Sequence, residues 1–531
     1  MDKRFRSRLV RNYKKKIPCM PRYNLEEEKI SQVPLEREQI EQWKEEEYDR
    51  LVDSRIQNLR PAKRVFLGCN SYCVKFAKNN PKILAVGDEI GGIHFIDSTN
   101  CKEIKDQDHP YSQEDYFKTY YQEVQRAYTE EDPEGKHRPI TILPTSSENI
   151  HENAIFDIEW FDNDRILGTV CGDFSSRIYD VAHQRVCNIL AGHNGSPRTI
   201  DSHHCTSDVF VTCGRDGEIL LYDVRDQSSR RVEGGEELIY PVHALSHYAL
   251  KLREEFGNRA KAKYSKHEND KRAITSCKFY DSNTLLSTES SSDEIKFWDL
   301  RVLCSLPKVS NSTVVDKDNK KSPKYGEREE KSFRGSLSYY THLMNIYRGL
   351  NEAEFARANG QEVNDTYSNI KEYDLLQCIN QRKKENGFTS LTVHRDLGRA
   401  SRTHKSPLIL TNGIKSTVYL YQMDKMSEAP PKIFKSHHSN FYTKATLSPC
   451  MDYCITGSDS GHGLLIWNTK KPDLDKFNTY ECLDKKSQYI YNYYSFKQGH
   501  IKDINGIDWS NSYSQPFIAT SSDDLTICLW E

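Results

Sequence analysis

Two arginines in this 531-residue chain stand where they can do binding chemistry. Arg225 closes the run Tyr222-Asp223-Val224-Arg225, and Arg301 closes Trp298-Asp299-Leu300-Arg301. In each run an aromatic and an acid precede the guanidinium by a fixed spacing. A guanidinium presents a planar fork of N–H donors that matches a carboxylate or a pair of carbonyls. That acceptor belongs either to a partner or to the arginine's own strand. No catalytic constellation competes with this reading. There is no G-x-S-x-G, no H-E-x-x-H and no phosphate-binding loop. His203-His204 and His437-His438 read as turn or core residues, not as metal ligands. The fifteen cysteines are scattered. Cys69 with Cys73, and Cys450 with Cys454, lack a second pair at zinc-site spacing. Cys171, Cys213 and Cys528 fall in apolar runs, where a thiol packs as a small hydrophobe. The expectation is a non-enzymatic chain with reduced thiols in an intracellular compartment, without metal or cofactor.

The elements that would carry the arginines repeat. An apolar strand, a small-residue turn and a second strand closing on an aromatic-acidic or related pair recur seven times. The closing positions are Asp97, Asp180, Asp223, Asp299, Gln422, Asn468 and Glu531. Two intervals, Asp180 to Asp223 and Gln422 to Asn468, are about the 40–45 residues of one four-stranded blade. In the clearest copies Asp216 precedes Tyr222, and Asp524 precedes Trp530, by the same spacing. Gly192-His193 and Gly499-His500 open the corresponding units, with weaker forms at Ile150-His151 and Ser436-His437. His193, Asp216 and Tyr222, and likewise His500, Asp524 and Trp530, are expected to satisfy one another at a crowded corner. The fold predicted is all-β, a seven-bladed WD-repeat β-propeller. Blades one, five and six are the least regular, and in the fourth Asp293 stands closer to Trp298 than the repeat prescribes. Because the last repeat ends at Trp530-Glu531, its outer strand must come from elsewhere, and Lys63-Arg64-Val65-Phe66-Leu67 is the natural donor.

Seven blades need only about 300 residues, so the surplus lies outside them. Residues 1–61 read as a basic tail followed by a charged helix, and 62–531 as the propeller. Insertions are expected at about 102–149, 226–271 and 302–386. The basic cluster Lys3 to Lys16 suits nuclear import, a phosphate-binding arm or a solvated tail. In the helix from about Leu35 to Gln57, Ile40, Trp43, Leu51 and Ile56 form a stripe too thin to fold alone. Further helices are expected at Ser112–Tyr128, Val242–Lys263 and Leu337–Arg357, the last after a disordered Lys/Asp/Ser stretch. Hydrophobic content is 36% and net charge −2, so no global field recruits nucleic acid. No apolar stretch is long enough for a membrane helix, and no secretory signal is expected.

In order, the blades resemble those of the denticleless family of WD-repeat proteins. The resemblance covers about Val65 to Glu531. It rests on His151 to Trp160, on Gly192 to Ser196 with Asp208 to Gly217, and on Ala273 to Phe279 with Asn283 to Leu286 and Ile295 to Arg301. Gly387 to Leu391 and Phe441 to Pro449 add to it. The resemblance implies a nuclear substrate receptor of a cullin-RING ubiquitin ligase, joined to the ligase core through the DNA-damage-binding adaptor. Arg225 and Arg301, with Asp223, Asp299 and Trp298, would mark the adaptor contact. The opposite face would take degron-bearing replication and cell-cycle proteins, displayed on the sliding clamp. No membrane and no sequence-specific nucleic acid is implied. Animal members carry a long tail after the propeller, which this sequence lacks. A WD-repeat scaffold of a nuclear chromatin, RNA-processing or signalling complex is the alternative.

Overall fold

The computed structural model describes residues 56, 58–98, 101, 150–203, 205–233, 236–256, 273–306, 326–338, 347–348, 387–394, 407–414, 417–422, 431–435, 442–449, 451–458, 463–469, 494–496, 499–500, 502–510 and 518–531. Contacts divide the chain into two compact units, Met1–Asn58 and Leu59–Glu531. Of the first, only Ile56 and Asn58 are described, so the basic tail and nearly all of the charged helix lie outside the described residues. So do Ser112–Tyr128 and the whole of 102–149.

The second unit is a seven-bladed β-propeller with one sheet per blade. The inner strands are Ser71–Phe76, Ile155–Phe161, Pro197–Ser202, Ile274–Phe279, Phe388–His394, Ala445–Leu447 and Ile504–Trp509. Middle strands such as Ile83–Asp88 and Val209–Gly214 are buried almost throughout, because each sheet packs on a neighbour across both faces. They therefore read as near-continuous apolar runs and not as alternating ones. Between blades two and three, Phe161 meets Phe210 edge to face at 5.3 Å within a cluster of Ile178, Leu190, Leu220 and Tyr222.

Closure follows the expectation. Pro61–Phe66 pairs antiparallel with Thr526–Trp530, Val65 opposite Ile527. Arg60 and Glu531 exchange both backbone hydrogen bonds at 3.0 Å. Lys63 Nζ reaches the Ser98 carbonyl of blade one at 2.9 Å and Arg64 Nη2 the Gly499 carbonyl at the opening of blade seven at 2.8 Å, tying the added strand to the neighbouring blade and to its own.

The long segments hold more blade than the sequence discloses. His243–Ser246 is the outer strand of blade three, opposite Glu218–Leu221, and helix α1 (His247–Phe256) follows it. The helix expected from Val242 thus starts later, because cross-strand pairing claims its first residues. After the third strand of blade four come α2 (Leu300–Ser305) and α3 (Glu327–Ser332), then that blade's outer strand, Phe333–Leu337. Leu337 ends that strand, and of the helical stretch expected beyond it only Ser338, Tyr347 and Arg348 are described. A hairpin, Arg230–Glu233 with Glu236–Ile239, joins blade two through a parallel pairing of Leu238 with Ile189. That sheet has six strands.

Candidate partner-binding faces

All inner strands run the same way, so the propeller has an entry face, where they begin, and an exit face, where they end. The histidine–acid corners sit toward the entry side. His193 Nε2 meets Thr212 Oγ1 at 2.7 Å, and Nδ1 meets Asp216 at 2.9 Å. Tyr222, fully buried, donates its hydroxyl to the Ala191 carbonyl at 3.1 Å. In blade seven His500 bridges Thr520 and Asp524 at 2.7 and 3.0 Å, and Trp530 Nε1 donates to Thr520 at 2.9 Å. His151 does the same with Thr169 and Asp173, both at 2.8 Å. Burial works against the Asp216 charge, but the His193 ring and the N–H groups of Asn194 and Glu218 outweigh it and hold its pKa below the ordinary value. These groups are spent on one another and are structural.

Blade four departs from the expected register. Its corner is His247, Ser287, Glu289 and Trp298, with His247 bonded to Ser287 at 2.6 Å and to Glu289 at 3.0 Å. Trp298 Nε1 donates to Ser287 at 2.8 Å. Asp293 instead accepts from Ser338 at 3.2 Å. Glu289 stands earlier in the strand than the turn acid of other blades, and its longer side chain makes up the distance. Burial opposes its charge, yet His247 and Lys296 bring its pKa down to about 2.

Arg225 and Arg301 lie on the exit face, at the ends of the third strands. Arg225 forks onto Asp223, Nε to Oδ1 at 2.9 Å and Nη2 to Oδ2 at 2.8 Å, with Asp208 at 3.9 Å. Arg301 binds Asp299 through Nε at 3.3 Å and Nη2 at 3.1 Å. Both side chains remain more than half exposed, at 54% and 67%. Asp299 is buried and caps α2. Trp298 lies wholly in the core, so its part in any exit-face contact is to hold Asp299 in place. The two corners adjoin: His203, in the turn after the blade-three inner strand, reaches the Ser282 carbonyl of blade four at 3.1 Å. Arg334, on the outer strand of blade four, also binds Asp299.

At the entry face the central channel is roofed by side chains from four blades. The Arg198 guanidinium lies 4.6 Å from the Phe156 ring and 4.7 Å from the Tyr442 ring. Tyr72 packs on Tyr442 at 4.8 Å, and Phe156 stacks on Tyr442 at 5.9 Å. Burial lowers the Arg198 pKa, opposed by the Tyr442 hydroxyl. Beneath lies a cavity of about 70 Å³. Lys444 crosses it from blade six to Asp157 of blade two at 2.7 Å, and Lys75 meets Asp508 at 3.1 Å. Glu159 stays ionised: Lys78, Lys278 and Lys75 outweigh its burial and hold its pKa far below the usual range. Aligned inner strands place Tyr72, Phe156 and Arg198 at one register position, and that alignment is the signal by which sequence could have found them.

Among the described residues two groups have metal-ligand types within 4.8 Å, Cys69-Asp88-His94 and His151-Cys171-Asp173. Burial pushes the Cys69 and Cys171 thiols up to about 12, so the fold holds both as neutral thiols. Cys73 packs apart from Cys69, its Sγ 3.6 Å from the Ile155 carbonyl. Cys450, His204 and His437-His438 lie outside the described residues.

The family model "WD domain, G-beta repeat" matches residues 184–223 and 491–531. "Protein lethal(2)denticleless" of Drosophila melanogaster is 25% identical over 388 residues, 72% of this chain and 38% of that protein. "Denticleless protein homolog" of Homo sapiens is 23% identical over 390 residues, 72% of this chain and 40% of that protein. "Cell division cycle protein cdt2" of Schizosaccharomyces pombe is 25% identical over 260 residues, 46% of this chain and 42% of that protein. The chain therefore spans about two fifths of the length of these relatives.

Proposed function

We propose that this chain, which is similar over 72% of its length to denticleless WD-repeat proteins, is the substrate-recognition subunit of a cullin-RING ubiquitin ligase. It is a non-catalytic nuclear receptor. The exit face docks the DNA-damage-binding adaptor, and the entry face takes a degron on a replication or cell-cycle protein, including proteins held on the sliding clamp. Its chemical contribution is proximity: it keeps a target lysine near a charged ubiquitin-conjugating enzyme. One observation carries the reading. The two faces offer different chemistry, guanidiniums fixed on carboxylates at one end and a stacked aromatic roof at the other. A receptor must hold two partners at once, and the propeller keeps these surfaces on opposite ends.

The test is purification of the tagged chain from nuclear extract, wild type beside Phe156→Ala/Tyr442→Ala. Recovery of adaptor and cullin with both, and loss of a set of replication proteins with the variant alone, supports the reading. Recovery of a different stable complex with no cullin moves the protein to the scaffold class. Unchanged circular dichroism and melting temperature establish that the variant is folded.

A further inference from the structure

We infer that Cys69, Asp88 and His94 form a zinc site in blade one. The thiol, a carboxylate oxygen and a ring nitrogen lie within 4.8 Å of one another. Tetrahedral zinc holds sulfur, imidazole nitrogen and carboxylate oxygen about 3–4 Å apart, so small side-chain movements close the site on an ion. The donor set suits zinc over magnesium or calcium, which take oxygen alone. Three protein ligands leave one position for water. Binding releases the thiol proton to solvent, and the imidazole carries its proton on Nδ1 so that Nε2 can bind the ion.

The ground for it is a corner that has lost its structural partners. Gly68-Cys69 stands in the link from the outer strand of one blade to the inner strand of the next, as Gly499-His500 does before blade seven. In blade three Cys213 faces Ile219 and Thr212 faces Leu220; in blade one Gly87 faces Ile93 and Val86 faces His94. Val86 therefore holds the place of the Thr212 hydroxyl, and the ring enters from the third strand. Ile96 faces Leu84 where Tyr222 faces Phe210. The opening histidine, the hydroxyl and the hydrogen-bonding aromatic are all replaced, and the polar groups left are ligand types from three separate segments. Cysteine spacing alone hides such a site.

Asp88 is already set for an ion. Its Oδ1 accepts the N–H groups of Ile90 at 2.9 Å and Gly92 at 2.7 Å, and its Oδ2 meets His94 Nε2 at 2.8 Å. Cys69 and Asp88 are buried, while the His94 side chain is 23% exposed and gives an ion a way in. Glu89 is held by the Asn70 backbone and side chain at 3.1 and 2.8 Å, so it is not a fourth ligand. Among the described residues this sheet has three strands where the other blades have at least four. An ion joining the link, the second strand and the third braces the smallest sheet of the ring. The other group of ligand types is spent. His151 uses both ring nitrogens, on Asp173 and Thr169, and the Cys171 thiol donates to the Asn153 carbonyl at 2.9 Å. Cys69 Sγ has only a long contact to the Leu67 carbonyl, at 3.9 Å, to give up beside Asp88.

The test titrates Co²⁺, a spectroscopic substitute for Zn²⁺, into the purified full chain under reducing conditions. One equivalent is expected to raise a thiolate-to-cobalt charge-transfer band in the near ultraviolet, and Zn²⁺ to abolish it. Cys69→Ser and His94→Gln should each weaken binding at least about tenfold, whereas Cys171→Ser should change it less than about threefold. His94→Gln keeps an N–H for Asp88, and matched circular dichroism shows that the variants are folded, so a loss of binding is a loss of ligand. A wild-type chain without the band overturns the proposal. So does a band that Zn²⁺ leaves unchanged, or one that survives Cys69→Ser or His94→Gln, because the ion then sits elsewhere.

Discussion

His500 shows why each repeat needs a residue far outside its closing pair. Its two ring nitrogens join Thr520 to Asp524, and Trp530 adds a third bond to the same threonine hydroxyl, all inside a corner closed to water. Removing the ring takes a partner from a buried carboxylate, which keeps Thr526, and from a buried hydroxyl, which keeps Trp530, and leaves a cavity between them. His500→Ala is expected to lower stability by about 2–4 kcal/mol in urea unfolding. A loss within about 0.5 kcal/mol would mean the corner is not a closed network. Blade four makes a sharper prediction. Glu289 spans its gap only by its extra methylene, so Glu289→Asp should destabilise by about 1–3 kcal/mol although charge is kept. The same exchange in the other direction, Asp216→Glu, overfills a corner built for the short acid. The regular corners are legible in sequence because glycine-histidine and turn acid recur at a repeat spacing. The blade-four corner is not, since His247 follows Ser246 inside a segment that reads as helix.

Short elements decide where the long segments belong. The outer strands His243–Ser246 and Phe333–Leu337 have little local signature, and only pairing with Glu218–Leu221 and Ile295–Trp298 makes them strands. Helix-forming residues follow the first and precede the second, and propensity alone assigns those segments to helix or loop. Closure by Pro61–Phe66 was legible because Lys63 to Leu67 is a β-prone run just before the first repeat, free to pair with Thr526–Trp530. Helix α3 adds a pH-dependent contact. Glu329 is buried where α3 meets α1 and the outer strand of blade three, and burial pushes its carboxyl up to about 7 from 4.5. Between those values the folded state keeps a proton that the unfolded chain has lost. Its contribution is therefore greatest at low pH and is lost as pH rises through about 7, by at most about 3 kcal/mol. Hydrogen exchange over Glu327–Ser332 should be slower at pH 5.5 than at pH 8 once corrected for intrinsic rates. Glu329→Gln should flatten that difference, and an unchanged slope would assign it to another group.

The propeller carries different side-chain chemistry on its two faces, and its blades are tied across the channel. Lys444 and Tyr442 of blade six reach across the channel to Asp157, Phe156 and Arg198, so blades opposite one another are tied and not only adjacent ones. Lys444→Ala leaves Asp157 facing the channel without its cation and should lower the melting temperature with no effect on adaptor binding, since the exit-face corners are untouched. The seven blades could be read from the sequence because strand, turn and closing pair repeat. The aromatic roof is fainter: Tyr72, Phe156 and Arg198 share one register position in their inner strands, but they come from separate blades and meet only when the ring closes. On the proposed reading the exit face docks the adaptor, and one comparison tests this most directly. Tagged wild type and Arg225→Ala/Arg301→Ala are purified from nuclear extract and their partners quantified by mass spectrometry. Adaptor and cullin that accompany the wild type and fall at least about tenfold with the folded variant are the predicted result. Equal recovery with both would contradict the placement of the docking surface, and absence of both ligase subunits from the wild type would contradict the receptor function itself.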